Sequence, residues 1–279
     1  MVTTSEKSAA ASTQSAPRSK CDIVYLAKGR PEFTAASLEA LGSNTNWALV
    51  DKLHIYTDGG SVPQISAIPA SVHDTFNWAD HGGPVAIMNA YLEKKPAPLW
   101  AKIDNDVIVP PGWLDACLDV MDAHPELDLL GIEPPESRTP APWMRSRVPA
   151  PENNPALKKH AFSGINPACP GMCYAACDSI GGIGMFRTRA WQGRAPMRPH
   201  STYGGFTDWQ ENYTARVGGT RARLHIGWIV PPLKLFLLDR MPMEPWTSLS
   251  KRYISENQQR EWTNYSAAEA ESLAGWWLK

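Results

Sequence analysis

Nowhere in its 279 positions does the chain hold a run of eighteen apolar residues, so no membrane span is expected. The first twenty residues, Met1 to Lys20, are rich in Ser, Ala, Thr and Gln and contain no apolar stretch of the kind an export signal needs. They are expected as a disordered tail rather than a signal peptide. Cysteine is scarce: five residues, an odd number in a chain without an export signal, favour reduced thiols and a cytoplasmic setting. Cys169, Cys173 and Cys177 are spaced for neither a zinc ribbon nor a common cluster motif, and read as ordinary thiols. Net charge is nearly absent as well, at −1.

What remains is the composition of an ordinary globular protein, 43% hydrophobic and 20% charged, long enough for one large domain or two small ones. The small net charge hides an asymmetry. Residues 1–136 hold 9 Lys/Arg against 18 Asp/Glu, residues 137–240 hold 14 against 5, and residues 241–279 hold 4 against 5. This is either a chance surface bias or an acidic, metal-binding first half beside a basic second half that meets something anionic.

The first half alternates strand and helix signals. Cys21 to Ala27 is short, apolar and β-branched, as a buried strand is. Arg30-Pro31-Glu32 opens a helix through Leu41, with Pro31 at its first position, Glu32 at the positive end of the dipole and Gly42 as its stop. Further strands are expected at Lys52–Thr57, Val72–Trp78, Leu99–Ile103 and Leu127–Ile132, and further helices at Val85–Lys95 and Gly112–Ala123. Such alternation predicts a parallel α/β sheet with right-handed crossovers, whose ligands sit at the carboxyl ends of the strands.

Three polar clusters fall at those ends: Ala27-Lys28-Gly29-Arg30, Asp58-Gly59-Gly60-Ser61 and Asp104-Asn105-Asp106. Two carboxylates at i and i+2 on a tight turn after a strand can share one divalent cation, and that cation can hold a diphosphate. An acidic triplet by itself is often only a solvated turn; here it converges with two other polar clusters on one sheet edge. Lys28 and Arg30 read either as solvated turn residues or as diphosphate contacts.

Beyond residue 132 the character changes. Proline recurs through Glu133–Pro170, with Arg138, Arg145, Arg147, Lys158 and Lys159 interspersed, as in a functional lid or a disordered connection. Ser179–Arg187 resumes as a Gly-rich strand suited to close approach by a ligand. Thr207 can cap a helix from Asp208 to about Val217, stopped by Gly218-Gly219. Arg221–Ile229 reads as a strand carrying His225, and the Trp-rich tail after Met241 as one or two helices packing back on the domain. Asp208 is either a first-turn acid complementing the helix dipole or a base, and His225 either a core histidine or a ligand.

In order and spacing these pieces resemble the nucleotide-diphospho-sugar glycosyltransferases of the GT-A fold, family 2 above all. Val24-Tyr25-Leu26-Ala27-Lys28-Gly29-Arg30-Pro31-Glu32 is similar to that family's first strand and Asn-Arg-Pro-Glu turn, and Asp58-Gly59-Gly60-Ser61 to its Asp-Asp-Gly-Ser. Gly82-Gly83-Pro84-Val85-Ala86-Ile87-Met88-Asn89 parallels its Gly-Pro-Ala-x-Ala-Arg-Asn helix start, and Asp104 through Leu114 its Asp-x-Asp segment and following helix. The resemblance covers residues 22–125 and thins after 133, where Gly181–Arg187 and Gly204-Gly205-Phe206 still fit.

The resemblance implies a Rossmann-like, mostly parallel central sheet flanked by helices, with a C-terminal acceptor-side half. It implies a donor site of Ala27, Lys28, Arg30, Asp58, Asp104 and Asn105, in which Asp58 meets the base (often uracil) and Asp104 the ribose or donor sugar. Asp106, with Asp104 and His225, would hold Mn²⁺ or Mg²⁺. The catalytic base would be Asp208 or Glu211: the family's paired acids stand here as Thr207-Asp208-Trp209-Gln210-Glu211-Asn212, so the match is open by two or three positions. A second departure is Gly59, where the family carries an aspartate.

The expected organisation is a tail (1–20), a nucleotide-sugar half (21–132), a Pro/Arg-rich loop or lid (133–170), an acceptor and catalytic half (171–240) and a C-terminal helical extension (241–279). The expected activity is inverting transfer of a sugar from a nucleotide-diphosphate donor, UDP-type, to a hydroxyl on a glycan, a glycoside or a modified base in DNA. Two alternatives stand beside it. One is a catalytically inactive sugar- or nucleotide-binding protein on the same scaffold. The other is a sugar nucleotidyltransferase, whose Gly-rich first loop Ala27-Lys28-Gly29-Arg30-Pro31 poorly matches.

Overall fold

Strand β1 (Cys21–Ala27) is buried along its whole length, as expected of a strand covered on both faces. It lies between parallel neighbours β2 (Val50–Thr57) and β4 (Leu99–Asp104), and β3 (His73–Asn77) extends the sheet beyond β2, again parallel. Past β4 come β9 (Gly184–Arg187), β6 (Leu129–Ile132), β12 (Ile226–Ile229), β8 (Cys173–Cys177) and β7 (His160–Ala161). Only β9 and β8 run against the rest, so the sheet is mostly parallel, as expected. The computed structural model describes residues 19–27, 29–57, 62–63, 65–77, 84–94, 96–125, 127–132, 160–161, 173–177, 183–192, 216–217, 220–221, 226–229 and 236–257.

The two faces of the sheet are separated by the period-two alternation of its strands. Ile23 and Tyr25 of β1, Leu53 and Ile55 of β2, and Ala101 and Ile103 of β4 form one core. Against it pack helix α1 (Pro31–Asn44) through Leu38 and Leu41, and helix α3 (Trp113–Ala123) through Trp113, Leu114 and Cys117. The alternate residues face helix α2 (Pro84–Glu93). There the Tyr91 hydroxyl donates to Asp22 at 2.8 Å, and the Trp100 ring lies 5.2 Å from Tyr91 and stacks on Phe186 at 4.2 Å. Helix α4 (Thr188–Gln192) follows β9 directly, and the ring of its Trp191 meets Phe186 edge-on.

A smaller core ties the C-terminal segment to the first helix. The two-residue strand β5 (Val107–Ile108) pairs antiparallel with β13 (Phe236–Leu237). A 3-10 turn at Leu238–Arg240 then leads to helix α5 (Trp246–Asn257). Phe33, Ala36 and Ala40 of α1 meet Ile108, Phe236, Leu238, Met241 and Tyr253 in one buried cluster. The Phe33 ring takes Trp246 and Tyr253 edge-on at 5.7 and 5.4 Å. Glu32 accepts hydrogen bonds from Arg252 and from the Tyr253 hydroxyl. Residues 241–253 therefore pack back on α1, Trp246 among them; Trp262, Trp276 and Trp277 lie outside the described residues.

Two expectations are corrected. Gly42 does not stop α1, which runs on to Asn44; a Cβ at Gly42 would stand 2.9 Å from Ile65 Cγ2, so this glycine makes room for the 65–68 segment. The helix expected from Asp208 to Val217 cannot include its end, because β10 (Arg216–Val217) and β11 (Thr220–Arg221) form an antiparallel pair across Gly218-Gly219. Within 133–170, His160–Ala161 is an edge strand; the remainder of that loop or lid lies outside the described residues. Smaller shifts move strand starts, Leu129 rather than Leu127 for β6, where Leu127 N–H closes a turn on the His124 carbonyl at 3.0 Å. Among the described residues no helix is long and apolar enough to cross a membrane.

Candidate donor site at the carboxyl edge of the sheet

Register places the ends of three strands side by side. Ala27 is level with Thr57, and Leu26 with Asp104. Adjacent strands run about 4.8 Å apart, so the ends of β2 and β4 are separated by roughly 10 Å, about the span of a nucleotide's sugar and phosphates. Two glycines and one arginine of this region have positive φ among the described residues. Gly29 (54°) and Arg30 (59°) turn the chain from β1 into α1, and Gly112 (74°) turns it into α3. Arg30 precedes Pro31 and caps α1 through its carbonyl, which accepts from Thr34 N–H at 3.0 Å and Thr34 Oγ1 at 3.2 Å.

The Asp104-Asn105-Asp106 turn is pinned from below by Asn105, which is 3% exposed. Its amide nitrogen donates to the Gly29 carbonyl at 2.9 Å and lies 3.0 Å from Thr34 Oγ1; its Oδ1 accepts from Arg30 Nη2 at 3.1 Å. These bonds turn the Asn105 amide toward the protein and join the β1–α1 turn to the β4–β5 turn. The Asp106 carbonyl accepts from Leu238 N–H at 2.7 Å, which holds the turn from the C-terminal side.

Each carboxylate of the turn meets a side-chain cation. Arg30 Nη1 donates to Asp106 Oδ2 at 3.1 Å, and the guanidinium lies 5.4 Å from the centre of the Phe33 ring. Burial would lower the pKa of Arg30; Asp106, Asp239 and Asp104 outweigh it and hold the guanidinium above its ordinary value. On the other side of the turn, Lys102 Nζ donates to Asp104 Oδ2. Lys102 and Asp104 share a strand face at i and i+2, so the pairing was legible in principle. Asp239, 133 positions downstream of Asp106, carried no such signal.

The remaining expected residues divide simply. Ala27 is buried at the end of β1, where only its backbone can face a ligand. Lys28, Asp58, Asp208, Glu211 and His225 lie outside the described residues; Thr57, just before Asp58, is at the same edge as Asp104. Among the described residues there is no group of three or more His, Cys, Asp or Glu able to hold a metal. Asp104 and Asp106 nevertheless fit a hard cation as a pair. Both are oxygen donors, both are partly exposed, and their described ion pairs engage Oδ2 only. Magnesium-type ions are commonly held by one or two carboxylates together with substrate phosphates.

No protein-family model matches the chain, and no curated protein is similar to it in sequence. Solved structures do match. The crystal structure of S. aureus TarS superposes with a TM-score of 0.50 at 12% identity, over 93% of this chain and 43% of that one. TarS residues 1–349 match at 0.49 and 12%, over 93% and 70%. A mannosyltransferase, PcManGT from Pyrobaculum calidifontis in complex with GDP-Man and Mn²⁺, matches at 0.44 and 9%, over 76% and 57%. With the strand order and the two-sided helical cover, the likeness to TarS shows that the fold is GT-A.

Proposed function

From the GT-A fold and the site at its sheet edge, we propose that the chain is a glycosyltransferase moving a sugar from a nucleotide-diphosphate donor to an acceptor hydroxyl. The observation that carries this reading is the mounting of the Asp104–Asp106 turn. Five hydrogen bonds, two with Arg30 and one each with Gly29, Thr34 and Leu238, hold a pair of carboxylates at the edge where parallel α/β sheets receive nucleotides. A merely solvated turn has no need of a buried asparagine linking it to the first strand.

In this mechanism Asp58 binds the donor base, UDP-type, and Asp104 the ribose or sugar; Ala27 and Lys28 flank the diphosphate. Asp106, with Asp104 and His225, would hold Mn²⁺ or Mg²⁺, which when bound would supply charge stabilisation to a departing diphosphate. Sugar transfer passes through an oxocarbenium-like state, so the protein's task is to place the acceptor opposite the leaving group. A hydroxyl is a poor nucleophile at neutral pH; Asp208, or Glu211, removes its proton during attack and the anomeric centre inverts. The organisation into donor half, lid, acceptor half and extension follows the same reading.

A panel of nucleoside diphosphates scored by thermal shift tests the proposal. One of them should raise the melting temperature with Mn²⁺ present and not without it; no response to any of them, with or without metal, removes the reading. Asp208→Asn should lower transfer by at least about a hundredfold while donor binding stays within about twofold of wild type. Unimpaired turnover would move the base to Glu211. The basic bias of residues 137–240 supports a second acceptor class, a hydroxylated base in DNA; affinity for DNA that falls steeply with salt would favour it.

A further inference from the structure

We propose that Arg30 is a resident counter-ion of the Asp104–Asp106 turn, a positioning residue that makes divalent-cation binding there conditional on a diphosphate. The inference rests on the functional reading above and assigns Arg30 a different part in it from the direct donor contact expected from sequence. Its guanidinium is committed on two sides, to Asp106 Oδ2 and Asn105 Oδ1, both at 3.1 Å, with Phe33 beneath it. The side chain is 17% exposed. Its backbone adopts a left-handed conformation that disfavours any residue with a Cβ, and places the side chain over the turn.

Charge balance gives the consequence. Arg30 and Lys102 contribute two positive charges, Asp104 and Asp106 two negative ones, so the four paired groups are neutral together before any ligand arrives. A free divalent ion therefore meets a pair of carboxylates each already paired with a cation, Asp239 being a further acid that acts on Arg30. A bound diphosphate adds at least two negative charges beside the turn and restores the attraction. Because linkage is reciprocal, metal and nucleotide raise each other's affinity by the same factor. Arg30 remains in place throughout: a planar fork satisfied by two acceptors is not readily displaced, and a lysine could not span both.

The test is a Mn²⁺ titration of the full chain, read by the electron paramagnetic resonance of free Mn²⁺, with and without UDP or GDP. Wild type should bind Mn²⁺ at least about tenfold more tightly with nucleotide than alone. Arg30→Gln should bind Mn²⁺ alone about tenfold more tightly than wild type, and the gain from nucleotide should shrink. Lys102→Gln removes the other resident cation and should act in the same direction, which keeps the test decisive should Arg30→Gln not fold. Folded variants, verified by circular dichroism, whose affinity for Mn²⁺ alone is unchanged or weaker overturn the counter-ion role. A wild-type chain that binds neither Mn²⁺ nor a nucleoside diphosphate in any combination overturns the glycosyltransferase reading itself, and this inference with it.

Discussion

Asn105 shows how much of the site depends on one amide. It is buried, and it donates to Gly29 and Thr34 while accepting from Arg30, so three other residues lose a partner when it is truncated. Leaving such groups buried and unsatisfied costs about 1–3 kcal/mol. Asn105→Ala is therefore expected to lower stability by about 2 kcal/mol in urea unfolding, and Asn105→Asp by more, because a carboxylate oxygen would face the Gly29 carbonyl. An Ala variant as stable as wild type would show that the amide does not hold the turn. Asp22 offers a second residue-scale expectation, at the opposite end of β1. Burial pushes its carboxyl up, but the hydrogen bonds from His54 and Tyr91 and the neighbouring His54 outweigh burial and set it below the usual range. A depressed pKa contributes stability above the unfolded value of about 3.9, and that stability is lost as pH falls through the folded value. Asp22→Asn should therefore lose less stability than wild type between about pH 5 and pH 2; equal losses would remove Asp22 from the acid response.

At the level of elements, what could be read from sequence was what depends on neighbours a few residues away. The largely apolar run of β1, interrupted only by Asp22, the Pro31 start of α1 and the apolar-to-acidic switch at the end of β4 each have a local cause, and each appears within a residue or two of its expected place. The misreadings have non-local causes. Strands β5, β10, β11 and β13 are two residues long, too short for any periodicity, and exist because distant segments meet them. Arg30 finds Asp106 across 76 positions, a contact that no spacing rule anticipates. Gly42 looked like a helix stop because glycine commonly ends an apolar stripe; its actual cause is Ile65, which reaches it from a later segment. Gly42→Leu tests that explanation. Leucine is the better helix former by about 0.8 kcal/mol, whereas overpacking costs about 1–3 kcal/mol, so the variant should be net destabilised by about 1 kcal/mol. A more stable variant would mean that the 65–68 segment yields freely.

Taken whole, the molecule closes on itself at the candidate site. The C-terminal segment returns through β13 to pair with β5, its Leu238 N–H reaches the Asp106 carbonyl, and α5 then clamps the start of α1 through Phe33 and Glu32. Both turns that form the site, after β1 and after β4, are thus held by residues more than 130 positions downstream. If this closure is mechanical, loosening α5 should be felt at the turn it does not touch. Tyr253→Phe keeps the ring against Phe33 and loses only the hydroxyl's contacts with the exposed side chains of Glu32 and Arg252, so a cost of about 1 kcal/mol is expected. Tyr253→Ala empties a buried aromatic site and should cost about 3 kcal/mol. Hydrogen exchange distinguishes a local cost from a transmitted one: the Leu238 amide should exchange at least about tenfold faster in the alanine variant and near the wild-type rate in the phenylalanine one. Unchanged protection of Leu238 in a destabilised Tyr253→Ala chain would show that α5 stabilises the fold without steadying the Asp106 turn.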